Sequence, residues 1–290
     1  MLKCALLFFI LMKTPKVSII IPCYNHGKYI EDALNSVLKI HDKELYEVII
    51  VNDGSTDDFT NHQLKHIAER GYTVIFQKNQ GLATSRNNAI EIAKGEYILP
   101  LDADNMIRSE YVYKGIEILD SNKNISIVYG NASLFGNADG ILRPGAYNLQ
   151  KLMVHNYIDA CAIYRKKVWE ETGGYDRNMA YPGVEDWEIW LHASFMGFKF
   201  YYIDEVLFDY RVLEHSMIRE LKTNKIKGDA NTGYMIKKHK EQYGPQYIDE
   251  DIMAKFSTSP LGFIGKIILK KYFPKKFEKM VIKGKLRKYI

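Results

Sequence analysis

The stretch GEYILPLDADN, residues 95–105, joins a predicted strand to a pair of carboxylates. Residues 97–99 form a short apolar run typical of a buried strand, and Pro100, which cannot donate to a β-ladder, is expected near the end of that strand. Asp102 and Asp104 follow, separated by one small residue. Residues two apart in an extended segment face the same side, so these acids repel each other unless a cation or a donor lies between them.

Two interpretations of the acids stay open at this point. Mg²⁺ and Mn²⁺ take oxygen ligands, and they often need only one or two carboxylates together with substrate phosphates. The strand would then end in a site for a metal and a diphosphate. Alternatively, Asp102, Ala103 and Asp104 form only a polar turn that caps the strand, because such spacings are common by chance.

The composition limits the class of protein. Of the 290 residues, 47% are apolar, which is enough for a globular core in one large domain or one domain with an appendage. Three scattered cysteines are too few for a disulfide framework or a zinc site and indicate a reducing compartment. The net charge of +5 is mild, and no RNA- or DNA-binding motif is present, so nucleic acid is not an expected partner.

The N-terminus carries the apolar run CALLFFILM at residues 4–12, which is too short to span a bilayer. No small-residue cleavage site of a signal peptide follows it. The apolar N-terminal extension is predicted at residues 1–12. Because MKTPKVSIIIP, which begins at Met12, looks like a natural start, we predict that residues 1–11 are an upstream extension or reflect a misassigned start. Weak contact with a membrane is the alternative.

Strands and helices are predicted to alternate through the first third of the chain. The apolar runs are at residues 17–21, 48–51, 74–76 and 97–99, and a helical stripe covers residues 29–38. Such alternation predicts a parallel sheet with right-handed crossovers. Ligands bind outside the carboxyl ends of strands in these sheets, so the polar loops that follow the four strands are expected to converge on a nucleotide site.

Five segments resemble, in order and spacing, the family 2 glycosyltransferases with the GT-A fold. They are VSIIIPCYN (17–25), VNDGSTDD (51–58), NQGLATSRNNAI (79–90), GEYILPLDADN (95–105), and GGYD (173–176) with VEDWEIWLHASFMGFKFYYIDEVLFDYR (184–211). The resemblance covers about residues 15–217. It implies transfer of a sugar from a nucleotide-sugar, usually linked to UDP, with a divalent metal and inversion at the anomeric carbon.

The expected fold class is therefore α/β, with a GT-A fold, a mostly parallel Rossmann-like sheet flanked by helices, and a basic helical C-terminal extension. The catalytic domain is predicted at residues 13–217, with the nucleotide-binding half at about 13–105 and the acceptor half at about 106–217. Residues 218–290 are the extension. Within the acceptor half, strands are expected at 125–129 and 160–164, and a loop at 136–148.

The resemblance implies donor-binding roles for loop residues of the first half. Asp53 is expected to accept hydrogen bonds from the base or ribose, although it could instead only cap a helix. Pro22, Tyr24 and Asn25 are expected to form the other wall of the base pocket, with plain aromatic packing as the alternative for Tyr24.

Further donor-side roles fall on Gly81, Arg86 and the pair of acids. Gly81 allows close backbone approach to a ligand, and the guanidinium of Arg86 suits a phosphate or the base carbonyl, unless it is a solvent-facing arginine. By resemblance, Asp104 ligates Mn²⁺ or Mg²⁺ directly. Asp102, followed by Ala103, contacts the ribose or the water shell of the metal.

The acceptor side is expected around the EDW sequence. By resemblance, Asp186 is the general base that deprotonates the acceptor hydroxyl, and Glu185 orients the acceptor or the base; alternatively, both only stabilise a helix N-terminus. Trp187 offers a ring face for a sugar, with core packing as an equal alternative. Gly174 of GGYD is a further predicted acceptor-binding residue.

A third metal ligand is expected at His215, although the sequence departs from the family pattern there. Many relatives carry a histidine two residues after the arginine of YR, where this chain has Leu213. His215 lies two residues further on, so a plain loop histidine is the alternative.

The C-terminal segment from 261 to 290 holds ten Lys or Arg and one acid, interleaved with apolar residues, and Pro274 is expected to break its helix. A basic amphipathic segment of this kind indicates peripheral contact with an anionic membrane, while a solvated face packed on the catalytic domain is the alternative. The expected location is cytoplasmic, on the inner face of the cell membrane.

The function favoured by the sequence is transfer of a sugar from a UDP-sugar to a hydroxyl of a glycan or lipid-linked acceptor in bacterial surface polysaccharide synthesis. A catalytically silent nucleotide-sugar-binding scaffold in a membrane-associated assembly is the alternative, although the intact pairs of acids argue against it. A dinucleotide-dependent oxidoreductase on a Rossmann sheet is the third hypothesis, and the lack of a G-x-G-x-x-G after the first strand argues against it.

Overall fold

The computed structural model describes most of the chain and divides it into two compact units. The described residues are 14–179, 181–214, 224–243 and 260–282. The first unit comprises residues 1–177 and 185–214, and the second comprises 178–184 and 215–290. The predicted extension before residue 13 and the predicted ligand His215 lie outside the described residues, so both stay predictions.

The half of the first unit in which nucleotide binding is predicted alternates strands and helices, as expected. Its elements are β1 (Val17–Cys23), α1 (Ile30–Val37), β2 (Tyr46–Asp53), α2 (Asp58–Glu69), β3 (Thr73–Gln77), α3 (Leu82–Ile92) and β4 (Tyr97–Pro100). The strands pair in parallel in the order β3-β2-β1-β4. Pro100 ends β4, which agrees with its missing backbone donor.

The second half of the first unit extends the same sheet with strands of both directions. Its elements are β5 (Met106–Ile107), α4 (Ser109–Ser121), β6 (Ile125–Gly136), β7 (Gly140–Leu142), α5 (Leu149–Val154), β8 (Ile163–Arg165), α6 (Lys166–Thr172), α7 (Glu185–Phe195) and β9 (Lys199–Val212). β8 pairs antiparallel with both β4 and β6, whereas β9 lies parallel to β6 and antiparallel to β5. The α/β class is confirmed, but the complete nine-stranded sheet is mixed rather than mostly parallel.

Two local predictions in the acceptor half need correction. The segment 136–148 is not entirely a loop, because residues 140–142 form β7 and pair with β6 as a hairpin. The strand predicted at 160–164 is shorter and begins only at Ile163. The glycines at 136 and 140 both adopt positive φ, so they permit the tight turn between β6 and β7.

The core of this sheet explains why its carboxyl edge is well defined. All seven residues of β1 are buried, and α1 buries Ile30, Ala33, Leu34 and Val37 on its inner stripe. Continuous apolar runs of this kind are typical of strands covered on both faces. Because the core holds these strands in place, the loops that follow their carboxyl ends begin at well-defined positions in the fold.

The described part of the second unit contains the helices α8 (Lys225–Lys238), α9 (Pro260–Tyr272) and α10 (Pro274–Ile282). The predicted break at Pro274 is confirmed, since α9 ends two residues before it and α10 begins on it. Among the described residues, none of the helices has the length and apolar character needed to cross a bilayer.

Candidate active site

Asn25, in the loop after β1, connects this loop to the loop after β2 through hydrogen bonds. Its φ of 55° is in the left-handed region, which asparagine tolerates better than most residues. Its side-chain oxygen accepts from the backbone N–H of Thr56 (2.8 Å), and its amide nitrogen donates to the Thr56 hydroxyl (3.0 Å). Tyr24, which precedes Asn25, is 44% exposed, while Pro22 is buried within β1. This exposure argues against plain packing of Tyr24, whereas its contact with a base stays a prediction, and Asn25 holds the loop that carries it.

Asp53, at the end of β2, organises the loop after β3. One carboxylate oxygen accepts from the side chain of Gln77 and the N–H of Gln80, both at 2.8 Å, and the other accepts from the N–H of Gly81 at 2.9 Å. Gly81 has a φ of 86°, a conformation that disfavours other residues, and it begins α3. The structure thus brings Asp53 and Gly81 together; their contact with a base or ribose stays a prediction.

Arg86 joins the motif after β4 to the start of α7. Its guanidinium donates to Asp102 Oδ1 at 2.8 Å and to Glu185 Oε1 at 3.0 Å, and it lies 5.4 Å from the ring centre of Tyr175. Arg86 is 2% exposed and Glu185 is 3% exposed. Burial lowers the pKa of Arg86, but the two carboxylates raise it above its usual range, so the side chain stays charged. The alternative of a solvent-facing arginine is wrong.

Asp104 lies on the turn after β4, and Arg211 of β9 holds this turn through two hydrogen bonds. Arg211 Nε donates to the backbone carbonyl of Asp104 (2.8 Å), and the Arg211 N–H donates to Asn105 Oδ1 (2.8 Å). Burial, with the charge of Asp102, raises the pKa of the Asp104 carboxyl to about 7. Among the described residues, the basic group at ion-pair distance from Asp104 is His26, with Nδ1 3.8 Å from Oδ2.

The residues at this turn fit a divalent cation. The Asp104 carboxylate is mostly buried, and its ionisation is opposed by burial and by the neighbouring acid, so a positive charge placed there would stabilise it. The described residues hold no cluster of three or more His, Cys, Asp or Glu side chains suited to a metal. Two carboxylates nevertheless suffice for Mg²⁺ or Mn²⁺ when substrate phosphates complete the coordination.

Asp186 lies in the first turn of α7, beside Glu185. Its Oδ1 accepts from the Trp187 N–H at 2.8 Å, and its Oδ2 accepts from Asn156 Nδ2 at 2.9 Å. Burial, followed by the charge of Glu185, raises the pKa of Asp186 to about 8, although Arg86 and Asn156 oppose this rise. A carboxylate with a pKa near the working pH is suited to accept a proton.

The two other predicted acceptor residues have clear packing roles. Trp187 is 6% exposed, and its indole N–H donates to the carbonyl of Leu152. This burial favours core packing over sugar stacking for Trp187. Gly174 has a φ of 83°, and a Cβ there would lie 2.7 Å from Asn87 Oδ1, so the position requires glycine. The Trp187 ring offers little free surface to a sugar, and any acceptor contact by Gly174 would be made by its backbone.

Sequence reasoning missed two site residues, Asn156 and Asp159, on the segment between α5 and β8. Burial and the charge of Asp102 raise the pKa of Asp159 to about 7. One signal was available in the sequence, since Asp159 interrupts the otherwise apolar run YIDACAIY. A charged residue within such a run needs a partner or a function.

Tyr210 on β9 lies within electrostatic range of acids from several segments of the chain. Burial raises the pKa of Tyr210, and four negative charges raise it further; they are Asp159, Asp102, Asp104 and Asp186. The contacts of Arg86 join Asp102 after β4 to Glu185 on α7, and Asp186 follows Glu185 in the same helix. The arrangement can hold a cation-bound anion on one side and deprotonate a hydroxyl on the other.

Comparison with known proteins identifies relatives of this arrangement. The chain is 29% identical to the putative teichuronic acid biosynthesis glycosyltransferase TuaG of Bacillus subtilis, over 76% of this chain and 87% of that protein. It is 28% identical to the chondroitin synthase of Escherichia coli, over 74% of this chain and 32% of that protein. The chain thus spans about a third of the chondroitin synthase.

Solved structures share the fold. The crystal structure of S. aureus TarS 1–349 matches with a TM-score of 0.58 and 21% identity, covering 74% of this chain and 65% of that chain. At this identity the similarity supports the fold alone. The family model described as glycosyl transferase family 2 matches residues 18–173, which is more than half of the chain. That region includes the loops of Asn25 and Asp53, Arg86, and both acids after β4, so this chain belongs to glycosyl transferase family 2.

Proposed function

We propose that the protein transfers a sugar from a UDP-sugar to a hydroxyl of a glycan or lipid-linked acceptor in the synthesis of a bacterial polysaccharide. The observation that carries the proposal is the buried bridge of Arg86 between Asp102 and Glu185. It joins a residue of the expected donor site to a residue of the expected acceptor site through one buried guanidinium. A protein that only binds a nucleotide-sugar has no need for a raised-pKa carboxylate beside this bridge.

The proposed reaction inverts the anomeric carbon. Asp186 accepts the proton of the acceptor hydroxyl, whose oxygen forms a bond to the anomeric carbon while the bond from that carbon to the UDP oxygen breaks on the opposite face. One base facing a leaving group across the ring follows the logic of inverting glycosidases, with a sugar hydroxyl in place of water. Glu185 keeps Arg86 in place and adds negative charge that strengthens Asp186 as a base.

The nature of the donor and the polymer is supported by the relatives. Structures of TarS are described as complexes with UDP and with UDP-GlcNAc, which supports a UDP-linked donor for this chain. The names of two relatives refer to teichuronic acid biosynthesis and to chondroitin, which supports a polysaccharide product.

Asp104, with Asp102 beside it, would hold the metal of the proposed reaction, Mn²⁺ or Mg²⁺. When bound, it supplies positive charge to the departing diphosphate. Arg211 keeps the Asp104 backbone in position, and Arg86 fixes the orientation of Asp102. The protein thus provides a preorganised turn that needs little rearrangement when donor and cation bind.

Binding of donor and cation is expected to be coupled. UDP with Mn²⁺ should raise the thermal unfolding midpoint of the protein, by the amount that ligand concentration and affinity dictate, whereas UDP with EDTA should raise it much less. Asp104→Asn is expected to remove most of the difference between Mn²⁺ and EDTA. A screen of UDP-sugars by thermal shift, followed by assays of UDP release, identifies the donor.

Two results would contradict parts of this proposal. Equal stabilisation by UDP with Mn²⁺ and with EDTA would exclude the metal from donor binding. Stabilisation by UDP-sugars without transfer to any glycan acceptor would favour the scaffold instead. As a matched control, Asp42→Asn changes an exposed carboxylate before β2, at the opposite end of the sheet, and should behave as wild type.

We further propose that α9 and α10 bind the inner face of the cell membrane. α9 exposes apolar side chains spaced along one helical face, Leu261, Ile264, Ile268 and Tyr272. Residues 260–282 contain six lysines and one acid, and Lys271, Lys275 and Lys276 are exposed. Exposed apolar side chains bordered by lysine fit the boundary between anionic head groups and acyl chains. A lipid-linked acceptor would be met at this surface.

Binding to vesicles tests this surface. The protein is expected to co-sediment with vesicles of phosphatidylglycerol and phosphatidylcholine, and more weakly with vesicles of phosphatidylcholine alone. Its binding to the anionic vesicles should weaken in 1 M salt, which screens exposed charges. Ile264→Ser with Ile268→Ser should reduce binding. Phe59→Ser, which changes an exposed apolar residue of α2, should not. Equal binding to neutral and anionic vesicles would contradict the electrostatic part of the proposal.

A further inference from the structure

The segment between α5 and β8 brings Asn156 onto the carboxylate of Asp186, although this segment belongs to none of the five recognised motifs. We propose that Asn156 is a positioning residue, which holds one oxygen of Asp186 so that the carboxylate faces the acceptor hydroxyl. The inference rests on the proposed function, in which Asp186 accepts the proton of that hydroxyl.

The amide of Asn156 is held in one orientation. Its Oδ1 accepts from the N–H of Ile158 at 3.3 Å, so its nitrogen points to Asp186 Oδ2, to which it donates at 2.9 Å. Ile158 is fully buried, so the backbone N–H that donates to the Asn156 amide oxygen has a fixed position. The other oxygen of Asp186 is held by the Trp187 N–H. With both oxygens held, the plane of the carboxylate is set before any acceptor binds.

The charged and titratable groups around Asp186 act in opposite directions. Burial raises its pKa, and Glu185 on the same helix and Asp159 on the neighbouring segment raise it further, whereas Arg86 on α3 lowers it. Tyr175 and Tyr210 also lie within electrostatic range of Asp186. The Asn156 hydrogen bond lowers the pKa, because it favours the ionised form that accepts a proton.

Removing the amide should therefore change the base in two ways. Asn156→Ala removes the donor to Asp186 Oδ2. The carboxylate can then rotate more freely, and its pKa rises, so Asp186 keeps its proton to a higher pH. Asn156→Asp replaces the donor with another acid and should raise the pKa of Asp186 more than Asn156→Ala does. Neither change touches the loops of Asn25, Asp53 or Asp104, so UDP binding with Mn²⁺ should be unchanged.

The decisive measurement is the pKa of Asp186, followed by carboxyl ¹³C NMR of the free protein, with Asp186→Asn used to assign the signal. We expect a clear rise in Asn156→Ala and a larger rise in Asn156→Asp. With the UDP-sugar that supports UDP release in the donor screen, kcat at pH 7 should fall roughly 10- to 100-fold while KM for the donor stays constant. Part of the loss should recover as the pH rises.

A matched control separates positioning from structural support. Asn148 caps α5 by accepting from the Lys151 N–H at 2.8 Å, so Asn148→Ala should lower the thermal midpoint without moving the pKa of Asp186. If Asp186→Asn is inactive but Asn156→Ala keeps the wild-type pKa and kcat, the positioning role is wrong. If Asp186→Asn itself retains transfer, the proposed function fails first.

Discussion

Asp186→Asn is expected to lower the rate of sugar transfer roughly 100- to 10,000-fold, the range attributed to a positioned general base, while binding of UDP with Mn²⁺ stays at the wild-type level. The amide has nearly the same shape as the carboxylate, but its single oxygen can accept from only one of the two donors, the Trp187 N–H or the Asn156 amide. The substitution therefore removes the proton acceptor and one hydrogen bond while it keeps the volume of the side chain. Transfer assays and titration calorimetry with UDP measure the two quantities separately.

The same variant should stabilise the free protein. The folded-state pKa of Asp186 is about 8, above the value of 3.8 for a free carboxyl, so the folded protein keeps a proton that the unfolded chain releases between these values. Stability contributed by this group therefore falls as pH rises from about 4 to about 8. Asparagine has no such loss, so Asp186→Asn should unfold at a higher temperature than wild type at pH 8, and the difference should shrink toward pH 4.

Three outcomes would count against this assignment. Transfer at the wild-type rate would exclude Asp186 as the base. Loss of UDP binding would indicate that Asp186 belongs to the donor site. A lower unfolding temperature at pH 8 would mean that the carboxylate is stabilised rather than penalised by its surroundings.

Arg86→Met is expected to reduce the free energy of unfolding by about 3–5 kcal/mol, because it leaves Asp102 and buried Glu185 without their shared cation. Removing one partner of a buried ion pair costs far more than removing an exposed one. Urea unfolding followed by circular dichroism measures the change. Transfer should also be lost, since Asp102 and Glu185 would repel each other and shift the turn after β4 relative to α7.

Matched variants separate the bridge from a general effect of losing an arginine. Arg70 pairs with Glu31 at the surface, so Arg70→Met should cost about 1 kcal/mol or less. Arg86→Lys keeps the charge but lacks the planar fork that reaches both acids, so it should lie between wild type and Arg86→Met. Adding Glu185→Gln to Arg86→Met should recover part of the stability, because a buried negative charge that Arg86 neutralised is then removed. If Arg86→Met unfolds like Arg70→Met, the bridge contributes nothing.

The nucleotide-binding half was predictable because its signals are local. Apolar runs of three to five residues, separated by a helical stripe and polar turns, indicate β1 to β4 and their order along the chain, and Pro100 marks the end of β4. The acceptor half was less predictable. β6 pairs with β8 and with β9 across long stretches of chain and in opposite directions, and strand periodicity alone does not indicate the direction of pairing.

The site was predictable in its residue types and less so in its contacts. Asp102, Asp104, Glu185 and Asp186 were identified from motifs, but Asn156 and Asp159 lie in a segment without regular structure or a motif. Trp187 shows the same limit, since a tryptophan at the start of a helix fits both sugar stacking and core packing. Only its 6% exposure and its bond to Leu152 favour packing.

By itself, the sequence determined which polar loops follow the four parallel strands and which carboxylates are available there, because strand periodicity and motif spacing are written over short stretches of chain. Only the tertiary structure decided that Arg86 joins Asp102 to Glu185, which lies 99 residues away along the chain. Contacts at that separation depend on how the mixed sheet brings α3, β4 and α7 together. The same folding brings the Asn156 amide within hydrogen-bond distance of Asp186, the proposed base.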